Sequence, residues 1–103
     1  MSASRVGSDL LLEAAELIHG QRAIDYGDPR ENFARIAALW TVVLGIKVAP
    51  WQVAVCMLML KVARIVKTPS HRDSWLDSGG YVAHGAMLAL DDGGAVADGS
   101  RPA

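Results

Sequence analysis

Residues 53–60 read Val-Ala-Val-Cys-Met-Leu-Met-Leu, an unbroken apolar run between Pro50 and Thr68-Pro69. As a helix this segment is apolar on every side, so other elements or a second subunit must enclose it. It is far too short to span a membrane, which takes about 20 apolar residues. Nowhere does the chain show clear apolar/polar alternation or an Asn-Gly hairpin, the usual marks of strands. The expectation is an all-α fold.

The punctuation divides 103 residues into four helical segments. The first covers about Ser8–His19, with Gly20 at its end and Leu11, Leu12, Ala15 and Ile18 at helical spacing. The second opens at Asp28-Pro29, a capping residue followed by a proline suited to the first turn, with Glu31 placed for a capping box. Its apolar stripe includes Phe33, Ile36, Ala37, Trp40, Val43 and Leu44, and Gly45 closes it. The third runs from Pro50 to about Lys67. The fourth runs from about His71 to Leu90, with Ser70 and Asp73 as a second capping-box pattern. Trp75, Val82, Ala86, Met87 and Leu90 look core-facing there. The Gly79-Gly80 pair inside that helix points to a close backbone approach or a bend. Four such helices with short connections pack most simply as an up-and-down bundle. One helical domain is expected over 8–91, after a flexible 1–7 and before a disordered Gly/Ala/Asp-rich 92–103. The apolar surface of the second and third segments favours a homodimer.

Composition narrows the function. With 51% hydrophobic and 20% charged residues the chain is globular in character. A formal charge of −1 removes a nucleic-acid binder working by bulk charge. Met1–Asp9 has no apolar run of the secretory kind. Cys56 is the sole cysteine, so no internal disulfide forms and a reducing compartment fits. It lies in the most apolar run, where a thiol is a poor nucleophile. His19, His71 and His84 lack zinc-site spacing. His84 falls seven after Asp77, on a shared face, and reads more simply as a surface histidine.

Three sets of residues can carry chemistry. Glu13-x-x-Glu16 places two carboxylates on adjacent turns, and Asp73 and Asp77 share a face four apart. On facing helices these four would form the oxygen-rich setting that Mg²⁺ prefers. Equally, Glu13 and Glu16 suit a solvated face and Asp73 a helix cap; Asp77, mid-helix on an apolar segment, has no such simple role. Lys61 and Arg64 interrupt the apolar helix. They suit ion pairs with Asp73 and Asp77, a phosphate, or a snorkelling helix end. In the Asp25-Tyr26-Gly27-Asp28 loop, Tyr26 can stack on a base and Asn32 can read a base edge, although the loop is also ordinary turn chemistry.

Together, Asp25-Tyr26-Gly27, Glu31-Asn32-Phe33, Leu39-Trp40, Lys61-Val-Ala-Arg64 and His71-Arg-Asp73-Ser-Trp75-Leu-Asp77-Ser-Gly-Gly80-Tyr81 resemble small phage and prophage domains of unknown function. The resemblance covers about residues 8–90. Lys-x-x-Arg followed by Asp-x-x-x-Asp-x-x-x-Tyr is also similar to the MazG-like nucleotide-modification-associated proteins. These belong with the all-α, oligomeric, Mg²⁺-dependent nucleotide pyrophosphohydrolases, whose metal is bound by an E-x-x-E helix and a later E-x-x-D helix. Asp77 matches the final Asp, but Ser74 stands where the Glu belongs, and Lys61-x-x-Arg64 stands where E-x-x-E is expected. Glu13-x-x-Glu16 has the letters but comes earlier in the chain.

The resemblance implies a MazG-like bundle acting in the cytoplasm of a bacterial host. It implies either a pyrophosphohydrolase or a nucleotide-binding protein. Asp77 and Asp73 would be catalytic, and Asp73, Asp77, Glu13 and Glu16 would be metal ligands. Lys61, Arg64, Tyr26 and Asn32 would hold the nucleotide. The alternative is a non-catalytic helical module acting on a host or phage protein, with the charged set as a register-fixing ion-pair network.

Overall fold

The computed structural model describes residues 3–20 and 27–91. They form four helices and no strand: α1 (Val6–His19), α2 (Pro29–Leu44), α3 (Pro50–Lys67) and α4 (Arg72–Asp91). The expected tail, 92–103, lies outside the described residues. None of the described helices is long and apolar enough to cross a membrane.

Most boundaries follow the local chemistry. Asp28 accepts a hydrogen bond from the Arg30 amide at 2.9 Å and Pro29 begins α2. Gly45 ends that helix in the left-handed region, φ 73°, where its N–H returns to the Thr41 carbonyl. Thr41 ties the following loop: its hydroxyl donates to the Ala37 carbonyl and accepts from the Val48 amide at 2.9 Å. Pro50 starts α3, and the Gln52 side chain accepts from the Ala49 amide at 2.8 Å. Two starts differ from expectation. α1 begins at Val6, two residues early. α4 begins at Arg72, so His71 takes the place before the helix, and its Nδ1 lies 2.7 Å from the Ser74 hydroxyl. That pair stands where Ser70 and Asp73 were expected.

The scaffold is an antiparallel α3–α4 hairpin. Lys61 meets Asp77 at one end, and Gly85 sits over Ala54 nearer the other. A Cβ on Gly85 would lie 3.3 Å from that of Ala54, so the glycine sets how closely the helices approach. α1 packs along α4, where a Cβ on Gly79 would lie 3.4 Å from the Ala14 Cβ. This is the close approach that Gly79-Gly80 announces. α2 packs on α3, and Phe33, Ala37, Val48, Val53, Ala54 and Leu88 form the core.

Several expected core positions are instead bare. Leu11 and Leu12 of α1, Val43 and Leu44 of α2, and Trp75, Val82, Ala86 and Leu90 of α4 are exposed. So is Cys56, and α3 is enclosed on only part of its circumference. The reason is geometric. Gly85 and Asp77 mark the side of α4 that meets α3, and at about 100° per residue Trp75, Val82 and Ala86 fall a third of a turn away. The covered positions of α4 are Ser74, Leu76 and Leu88.

Candidate functional site

A cleft of about 380 Å³ opens between α1 and α2 above the α3–α4 seam. Its volume lies within the range of small-molecule sites. Ala14, Leu17 and Ile18 of α1 form one wall, and Pro29, Asn32 and Phe33 of α2 another. The floor is charged. Lys61 of α3 reaches Asp77 of α4, Nζ to Oδ2, at 2.9 Å. Both side chains are partly covered, at 26% and 33% exposure, so each is held in place yet accessible from the cleft. Tyr81 and His84 continue the same face of α4, one and two turns beyond Asp77. The His84 ring lies 5.6 Å from that of Phe33, tilted by 46°. Gly80 completes the lining and leaves open space beside it.

The fold therefore brings Asn32, Lys61 and Asp77 to one cleft. It does not bring the other described candidates there. Glu13 is hydrogen-bonded by Arg72 across the α1–α4 contact, at 2.5 Å. That hydrogen bond holds the Glu13 carboxyl below its ordinary range; burial opposes it, and the guanidinium charge adds a smaller lowering. Glu16, Arg64 and Asp73 are exposed and line no part of the cleft. Tyr26 lies outside the described residues. Among the described residues, no three His, Cys, Asp or Glu side chains gather as ion ligands. Glu13, Glu16, Asp73 and Asp77 thus do not make a preformed Mg²⁺ cage, and the one carboxylate among the described lining residues already faces an ammonium.

Two lining residues were not singled out as binding residues from sequence. Tyr81 and His84 follow Asp77 at i+4 and i+7, which is the signal that could have found them. Phe33 reads as a plain core residue, and it is one, with an edge on the cleft.

The residues that build this cleft lie within the segment 9–89, which matches the family model of the domain of unknown function DUF6378. The chain belongs to that family. Similar proteins are encoded by phages. The Gene 55 protein of Mycobacterium phage L5 is 47% identical over 73 residues, 70% of this chain and 47% of that protein. The Gene 55 protein of Mycobacterium phage D29 is 43% identical over 76 residues, 74% of this chain and 50% of that protein. The chain thus spans about half the length of the curated relatives it matches. No solved structure matches it. The DUF6378 match takes in α2, α3, nearly all of α4 and most of α1, so every helix that walls the cleft belongs to the family segment.

Proposed function

We propose that the cleft binds a nucleotide, with its phosphates at Lys61 and its base among Tyr81, Phe33 and Asn32. The observation that carries this reading is the Lys61–Asp77 pair on the floor of a cleft with aromatic walls. An ammonium has three donors, and Asp77 occupies one direction while fixing the side chain for a ligand. Asn32 on the rim can donate and accept, which suits a base edge. Magnesium, on this reading, enters as the nucleotide's own counter-ion and meets Asp77, since Mg²⁺ commonly relies on substrate phosphates for much of its shell.

Binding is a smaller claim than hydrolysis. Pyrophosphohydrolysis in the MazG-like manner needs carboxylates to hold the ion and orient water, and Asp77 alone offers that chemistry in the described lining. The test is titration calorimetry with nucleoside mono- and triphosphates, ribo and deoxy, with and without Mg²⁺. Micromolar binding that weakens at least about tenfold in Lys61→Met is the expected result. No heat across the panel would overturn the reading. Pyrophosphate release measured on the same samples, and lost in Asp77→Asn, would extend it to catalysis. A second reading, a helical module that docks on a host or phage protein, draws on the bare apolar residues of α2 and α3. It predicts an intact chain with a silent panel.

A further inference from the structure

The α3–α4 hairpin has a face that is left largely bare among the described residues, with α1 reaching only its Val82 edge. On α3, Val55, Met59, Val62 and Val66 are 43, 52, 38 and 75% exposed. Their spacing is four, three and four, the seam of a helix that packs lengthwise against another. On α4, Trp75 and Val82 are 47 and 54% exposed, and Ala86 continues their row. Each row lies about a third of a turn from the side where the two helices meet. Because the helices run antiparallel, both rows turn to the same side of the hairpin. α2 and the cleft lie on the other.

The charges of the hairpin avoid this face. Lys61 and Arg64 of α3 and Asp73, Asp77 and Asp91 of α4 all project to the opposite side, and Lys67 and Arg72 fall at the back of their helices. No Asp, Glu, Lys or Arg falls on the bare rows. Depletion of charge around an aromatic residue is the composition of a buried interface centre. Trp75 fits that role: its indole N–H is already satisfied by the Pro69 carbonyl at 2.8 Å, which leaves the ring to pack.

We infer that this face joins two copies of the chain, hairpin against hairpin, as a four-helix core about a two-fold axis. Two observations select a second copy as the occupant. The bare surface of the two rows comes to roughly 600 Å², at the top of the about 300–600 Å² usual for a monomer's largest patch and approaching the about 800 Å² each partner buries in a standard interface. The four-three-four seam is complementary to itself, as an isologous contact requires. The competing bare patch, on α2 around Val42 and Val43, is interrupted by exposed Arg35 and Lys47. Pairing through the hairpin leaves both clefts open on the outside, so the inference does not rest on the nucleotide reading.

Sedimentation equilibrium tests it. The chain is expected to run at twice its 11.0 kDa mass. Val62→Glu places an uncompensated charge on the seam and is expected to raise the dissociation constant at least about 100-fold, with the helical circular dichroism unchanged. Met59→Lys, also on an exposed position, serves if the first variant unfolds. Val43→Glu on α2 is expected to leave the dimer intact. A single-chain mass at about 100 µM, an assembly that withstands both seam variants, or dissociation by Val43→Glu alone would overturn the inference.

Discussion

The two sides of the α3–α4 hairpin are built from the same pair of helices and have opposite chemistry. One side carries the Lys61–Asp77 pair, Tyr81 and His84, and meets α2 and the cleft wall. The other carries Val55, Met59, Val62, Val66, Trp75 and Val82 and no charge. A helix at 3.6 residues per turn allows this, because positions a third of a turn apart are chosen independently. What the difference teaches is that an apolar stripe does not by itself mark a monomer's core. On α4 the stripe with Trp75 and Val82 is bare, while the packed side sets Leu88 beside Ser74 and Gly85, small residues that let the helix approach Ala54.

The strongest way to break the covered side is to remove its anchor. Phe33→Ala is expected to cost about 3–5 kcal/mol in chemical denaturation, because Phe33 is 5% exposed and packs α2 against the rest of the core. An exposed apolar residue such as Val82 should tolerate alanine far better in a monomeric background; equal losses would erase the distinction between the two sides.

Next in size is the helix–helix approach. Gly85→Val forces a side chain into a position 3.3 Å from the Ala54 Cβ and is expected to cost about 1–3 kcal/mol. Gly80→Ala, with open space around the added Cβ, should be neutral or stabilising. A Gly85 variant as stable as wild type would mean that the hairpin contact is looser than Gly85 and Ala54 imply.

The charged pair should show a smaller stability effect and a larger functional one. Lys61→Met leaves Asp77 partly buried without its partner, and about 1 kcal/mol is expected from a pair this accessible. Adding Asp77→Asn should recover part of that loss in a double-mutant cycle. A cycle with no coupling would separate the two groups despite their 2.9 Å contact.

The smallest effect is at the α1–α4 edge. Arg72 lowers the Glu13 pKa, so their pair stabilises the fold above the ordinary carboxylate range and loses that contribution as pH falls through the lower folded value. Glu13→Gln should therefore give a slight loss of thermal stability at about pH 7 that shrinks as pH falls below the ordinary carboxylate range. The same loss throughout that fall in pH would point to packing rather than charge.

Much of the fold was legible because its boundaries are local. Asp28-Pro29, Gly45, Pro50 and Thr68-Pro69 act through backbone geometry within a few residues, and the helices stop where they predict. The floor of the cleft was partly legible, since Lys61 and Asp77 are isolated charges on apolar helices. The partner of Glu13 was not: Arg72 is 59 residues away, and no periodicity predicts it. The inward side of α4 was legible only in part: Met87 packs against the core as its spacing predicts, but the closest approach to α3 is made at Gly85, which a search for large apolar residues passes over.

The most direct measurement is a nucleotide titration of three proteins side by side: wild type, Lys61→Met and Val62→Glu. If the two sides of the hairpin do separate work, wild type and Val62→Glu bind with the same affinity and Lys61→Met binds at least about tenfold more weakly. Equal binding by Lys61→Met, loss of binding in a folded Val62→Glu, or no binding by any of the three would contradict that division.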